Sequence, residues 1–112
     1  MNGGAASAMR VALITAPDAD TARRIARALV DERLAACVNV VPGVSSIYRW
    51  EGAVHEDAEL LLIAKTTEDR LAALAERLAV LHPYALPELV ALAPSGGSER
   101  YLAWVRDACE GA

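Results

Sequence analysis

The apolar positions of this chain switch between runs at the strand period and stripes at the helix period, and the switches mark out its elements. Val11–Ala16 is a short apolar run closed by Pro17-Asp18, as in a buried strand. Ala22, Ile25, Ala26 and Leu29 then recur at helical spacing, with Arg23, Arg24, Arg27 and Asp31 on the outer side. Asp18 or Asp20 supplies the N-cap. Ala36–Val41 reads as a second strand, bent at Pro42-Gly43 and continued as Val44–Trp50. Glu51-Gly52 predicts a tight hairpin turn, with Gly supplying the positive φ. The return strand begins near Ala53 and ends in the apolar run Leu60–Ala64 with Lys65-Thr66. A helix starting at Thr66 or Thr67 carries Leu71, Leu74, Ala75, Leu78 and Leu81 on one stripe and stops at Pro83. A short strand, Leu89–Leu92, follows the loop HPYALPE, and after Pro94–Gly97 Ser98 caps a last helix with Leu102, Val105 and Ala108 or Cys109 inward.

This order, βαββαβ plus a C-terminal helix, predicts an α+β, ferredoxin-like sandwich with an extended β-hairpin, given right-handed crossovers. Residues 10–109 form one domain, with a flexible tail over 1–9 and a short tail over 110–112. Helices in such a fold cover one face of the sheet, so the central strands should alternate between apolar and polar residues. Val11–Ile14 and Leu60–Ala64 do not alternate. The second face therefore needs a cover, and the hairpin with Ile47, Tyr48 and Trp50 projects further than this chain can shield. Leaving a Leu or Ile side chain bare forgoes about 1.5–3 kcal/mol. An obligate homo-oligomer follows.

Composition narrows the function classes. The 112 residues are 54% hydrophobic, yet only 4% are aromatic and none is Phe, which argues against an aromatic platform for single-stranded nucleic acid. A net charge of −4 argues against a phosphate-backbone binder. No apolar run approaches the roughly 18 residues of a membrane helix, and no secretory apolar region opens the chain. A cytoplasmic protein is expected. Cys37 and Cys109 match no zinc spacing and fit reduced thiols. Nucleotide-loop, nucleophile-elbow and zinc-protease motifs are absent from the sequence.

The candidate chemistry is sparse. His82, beside Tyr84 and Glu88, is either a metal ligand or proton carrier in a subunit-boundary cleft or a residue that caps and packs the end of its helix. Cys37 is a soft donor for copper or a small core residue. His55, Asp57 and Glu59 share one side of a strand and form either a weak cation site or, more simply, a solvated edge. Lys65 ends a central strand, where it can face a cleft and bind an anion or pair with Glu59 or Glu88. Tyr48 and Trp50 suit an interface anchor or a small-molecule pocket. Gly96-Gly97 before Ser98 is a loop or a weak anion site.

The blocks LAACVNVVPGVSSIYRWEG, DAELLLIAKT, LHPYALPE and YLAWV, in this order, resemble the CutA family of divalent-cation tolerance proteins. The resemblance runs from about Val11 to Val105. It implies a ferredoxin-like protomer, a stable homotrimer in which the long hairpin packs on neighbouring subunits, a link to heavy-metal tolerance with copper or another divalent cation bound, and no established reaction. Two positions depart from the metal pattern of some members: Ile14 stands before Thr15-Ala16-Pro17 where those have Cys, and Leu81 stands where they have a second His. Of that ligand set His82 remains. The expected metal donors are thus His82, Glu88 and Cys37, with Lys65 and Tyr84 in a ligand cleft and Ile47, Tyr48 and Trp50 at the trimer interface. No cofactor is required. The runner-up is a trimer resembling PII-type signalling proteins, with a small anion or protein partner in its inter-subunit cleft, and the third is an enzyme with His82 or Glu88 as general base.

Overall fold

The computed structural model describes residues 8–110. Four strands, β1 (Met9–Ala16), β2 (Cys37–Trp50), β3 (Ala53–Thr67) and β4 (Val90–Leu92), form one antiparallel sheet in the order β2-β3-β1-β4. With α1 (Ala19–Asp31) and α2 (Leu71–Leu81) between them, this is the ferredoxin-like α+β sandwich that the apolar pattern predicts. The C-terminal α3 (Glu99–Cys109) packs against β3 and β1.

One face of the sheet carries the core. Ala12, Ile14 and Ala16 of β1 with Leu62 and Ala64 of β3 are buried against Ala22, Ile25 and Leu29 of α1 and Leu74 and Leu78 of α2. The positions between them, Val11 and Leu13 of β1 with Leu61 and Ile63 of β3, point the other way and stay half-exposed. The missing alternation therefore has the cause inferred from the sequence: both faces of the central strands are apolar, and one of them is only partly covered. Val105 and Cys109 of α3 are buried outside the main core cluster. No helix among the described residues is long and apolar enough to cross a membrane.

The hairpin is longer and more continuous than two strands joined at Pro42-Gly43. Val41 pairs with Leu61 and Val44 with Glu59, so Pro42 and Gly43 form a bulge opposite Leu60 within one strand. Gly43 sits at φ +80 and Pro42 needs no ladder donor there. Beyond the bulge, β2 and β3 pair as far as Trp50 and Ala53 around a turn in which both Glu51 (φ 48) and Gly52 (φ 81) are left-handed. This is the geometry that matches strand twist in a two-residue hairpin. The projecting arm draws the molecule out to 49 × 26 × 23 Å.

Several boundaries move. β1 begins at Met9, which is buried, so the tail expected over 1–9 is ordered at Met9; residues 1–7 and 111–112 of the expected tails lie outside the described residues. β3 runs through Thr66 and Thr67 to meet Arg10 and Met9, and a 3-10 turn over Glu68–Arg70 precedes α2 at Leu71. Thr66 follows its β-branched preference, while Thr67, the last residue of β3, is also the N-cap of the 3-10 turn, without a side-chain capping bond. Thr66 is wholly buried, its hydroxyl donating to Leu34 O at 2.6 Å. Ala75, placed on the inner stripe by spacing, is exposed.

Candidate functional site

α2 ends at Leu81 because Pro83 cannot continue it, and the chain leaves His82 in extended geometry with its own N–H on Leu78 O. The ring turns inward and is 6% exposed. Nε2 lies 2.7 Å from Thr15 O at the end of β1, and Nδ1 accepts the Tyr84 N–H at 3.1 Å. A carbonyl can only accept, so Nε2 carries the proton and Nδ1 the lone pair. Both ring nitrogens are thus committed. The backbone of His82 caps α2 through its N–H, but the ring neither caps the helix carbonyls nor offers a free lone pair; it ties the loop after α2 to the end of β1.

That tie positions Tyr84. Its ring packs at 4.6 Å from the His82 ring, and its hydroxyl donates to Glu59 Oε2 at 2.8 Å. Burial, and then the Glu59 carboxylate, push the Tyr84 phenol well above its ordinary range, so it remains a donor. A second phenol–carboxylate pair lies along the same face of β3, where the Tyr48 hydroxyl donates to Asp57. The Asp57 hydrogen bond holds the Tyr48 phenol above its usual value, and its ring stacks on His55 at 5.5 Å. Of the run His55–Glu59, His55 and Asp57 are exposed as expected, but Glu59 is buried rather than part of a solvated edge.

Of these groups Tyr48, Glu59 and Tyr84 border a groove of about 640 Å³ on the sheet face away from the core. Thr15 and Glu59 lie at the sheet, Ser46, Tyr48 and Trp50 come from the hairpin, and Tyr84, Leu86 and Glu88 come from the loop. No Lys or Arg is among its lining residues. Thr15 belongs to this site although the sequence gave it no role, and Glu59 belongs to it with Tyr84 as partner within the chain rather than with Lys65 or in a solvated cation site; the available signal was their place in register beside the apolar face, next to Leu61.

Residues 10–108 match the CutA1 divalent ion tolerance protein family. The chain belongs to that family. It is 58% identical over 97 residues to the divalent-cation tolerance protein CutA of Thermus thermophilus, covering 87% of this chain and 94% of that protein. Human protein CutA is 40% identical over 109 residues, which span 97% of this chain but 61% of the human protein, so the human relative is considerably longer. The Thermus thermophilus CutA1 structure superimposes with a TM-score of 0.88 at 56% identity, covering 89% of this chain and 97% of that one. CutA from Xylella fastidiosa does so with a TM-score of 0.88 at 41% identity, covering 91% and 98%.

In this CutA1-family chain the expected donors do not gather. Cys37 opposes Lys65 on β3, which opposes Val11 on β1, whereas His82 contacts Thr15. Four strand positions, roughly 13 Å, separate those rungs along the sheet. Glu88 is exposed on the groove rim. Among the described residues no group of three or more His, Cys, Asp or Glu side chains could hold a metal ion. The donor set His82, Glu88 and Cys37 therefore does not fit a metal within one chain. Lys65 corrects a second expectation: its ammonium group donates to Asn39 on β2, and Glu59 lies six positions away along the strand, so neither Glu59 nor Glu88 is its partner. Ile47, Tyr48 and Trp50 are exposed along the projecting arm.

Proposed function

We propose that this protein is a non-enzymatic homotrimer that works in the cytoplasm in tolerance of divalent metals, copper among them. Membership of the CutA1 divalent ion tolerance family carries the reading. The trimer is supported by the half-bare sheet face at Val11, Leu13, Leu61 and Ile63 and by the unsupported Ile47, Tyr48 and Trp50 of the arm. A non-catalytic role is supported by the state of His82, whose ring nitrogens are both spent on backbone groups and so hold no lone pair for general-base work. A copper or other divalent ion would draw on Glu88 and Cys37, with further donors from neighbouring copies.

Calorimetric titration of the assembled protein with Cu²⁺ and Zn²⁺ tests the metal part. A stoichiometric signal lost in Glu88→Gln or Cys37→Ala but kept in His82→Gln supports it. The absence of a signal, or one that only His82 controls, contradicts it.

The groove favours a second reading, a regulatory trimer of PII-like architecture that takes a small molecule between subunits. An anionic ligand, the form first expected of that reading, finds no cation in the lining, and Lys65 is turned to Asn39.

A further inference from the structure

β3 carries a polarised row on the sheet face away from the core. Glu59, Leu61, Ile63 and Lys65 alternate onto that face: a carboxylate at the arm end, two apolar side chains, then the only lysine of the chain. On the same face β1, β4 and the Cys37–Val41 stretch of β2 add no other charge. Six strand positions, about 20 Å, separate Glu59 from Lys65, so the two cannot meet within one chain. Each has only a neutral partner there. Glu59 Oε2 accepts the Tyr84 hydroxyl, and Lys65 donates to Asn39. Neither belongs to an ion pair among the described residues. A cover over Val11, Leu13, Leu61 and Ile63 takes both charges out of water, which is costly unless each meets its opposite.

We infer that in the assembled protein Lys65 of one copy forms an ion pair with Glu59 of the next, once at each of the three subunit boundaries. The inference rests on the homotrimer proposed above and names the contact that closes it. In a closed ring each copy offers one end of its row to one neighbour and the other end to the other. Three rows laid head to tail therefore bring every carboxylate to a lysine and leave Leu61 and Ile63 facing the axis. The arm leaves the sheet at the Glu59 end, so in this arrangement it lies across the Lys65 end of the next copy. There Val11 and Leu92, paired on neighbouring strands, give Tyr48 and Trp50 an apolar bed.

The choice of partners is narrow. The strands hold two further cations. Arg10 is paired with Glu68, and Arg49, between Tyr48 and Trp50, points to the other side of the arm. Among the carboxylates, Glu59 already lies 8% exposed within its own chain and has Oε1 without a hydrogen-bond partner among the described residues, whereas Asp57 and Glu88 are exposed there. Its carboxylate lines the groove, which leaves it open to a donor from outside the chain. The ammonium group has three N–H donors and commits one to Asn39, so it can hold both partners. The pair also brings to the groove the cation that its lining lacks within one chain.

Subunit exchange between isotope-labelled and unlabelled full-length protein, followed by native mass spectrometry at neutral pH, tests the pair by charge exchange. Lys65→Glu and Glu59→Lys should each speed exchange at least tenfold or abolish the trimer, and the double variant carrying both should return to within about threefold of the wild-type rate. If a reversed charge prevents folding, the milder set Lys65→Met, Glu59→Gln and their double decides. Pairing predicts that this double exchanges no faster than the faster single, whereas factors that multiply overturn the pair. Single variants that exchange at the wild-type rate overturn it too. Rescue of Lys65→Glu by Asp57→Lys or Glu88→Lys, and not by Glu59→Lys, overturns the assignment to Glu59 while leaving the trimer in place. A wild-type mass of one chain removes the trimer reading itself, and a mass of two chains overturns the head-to-tail ring.

Discussion

His82 shows how far residue type can be read and where reading stops. Its position before Pro83 at a helix end was legible, but its partners, Thr15 O and the Tyr84 N–H, depend on a β1 end 67 positions away. Sequence spacing could not bring those together. Removing the ring leaves a buried carbonyl and an amide without partners, so His82→Ala should cost about 1–3 kcal/mol in denaturant unfolding, with His82→Gln costing less. An unchanged midpoint for His82→Ala would mean that the ring is not structural. Glu59 was misjudged for the same reason: its neighbours in sequence are acidic and exposed, and its burial comes from Tyr84, 25 positions on. The pH dependence follows from protons that the folded chain retains. Burial raises the Cys109 thiol above 9.0, and burial with Glu59 raises the Tyr84 phenol above 10.0. The unfolded chain releases both protons at the ordinary values, so this contribution is fully present below about pH 9 and is lost as pH rises from there through the folded values. Stability should fall from about pH 9 upward, with a shallower fall in Tyr84→Phe; an identical alkaline limb in that variant would contradict the account.

At the scale of elements, the hydrophobic pattern carried most of the fold, because strand and helix periods are local properties of the chain. Leu74 and Leu78 were found by spacing alone and are buried, so Leu74→Ala should cost about 2–5 kcal/mol. A loss below 1 kcal/mol would show that α2 is not fixed on the sheet. What spacing missed were junctions. Thr66 and Thr67 read as a helix start in sequence, but pairing with Arg10 and Met9 keeps both in β3, with Thr67 at the N-cap of the 3-10 turn and α2 beginning only at Leu71. The end of α1 has a similar tertiary cause. Arg33 sits at φ 58, where Gly is usual, with Leu34 N–H on Leu29 O at 2.8 Å, and its guanidinium donates to Ala108 O of α3 at 3.1 Å. That bond offsets the backbone strain and anchors α3 together with Arg70, which donates to Cys109 O at 2.7 Å. Arg33→Ala loses the bond and keeps the strain, so it should destabilise by about 1 kcal/mol, whereas Arg33→Gly relieves the strain and should be nearly neutral. Equal losses for the two would show that strain plays no part.

Over the whole molecule, the chain builds more apolar surface than it covers. The main core is complete on the helix side, yet the other sheet face is half-bare and the arm carries Ile47, Tyr48, Trp50 and Val54 into solvent. This excess was visible in the sequence as missing alternation and as a strand pair too long for its partners, which is why oligomerisation could be inferred without coordinates. The groove could not be inferred in this way, because it is assembled from β1, the hairpin and the loop after α2, which meet only in three dimensions. The most direct test of the assembly is molar mass by light scattering in dilute neutral buffer, for the wild-type protein and for an Ile47→Asp, Trp50→Glu double variant. A trimer predicts roughly three times the 11.9 kDa chain mass for the wild type and a shift towards a single chain for the variant. A stable, soluble wild-type species at the mass of one chain would contradict it.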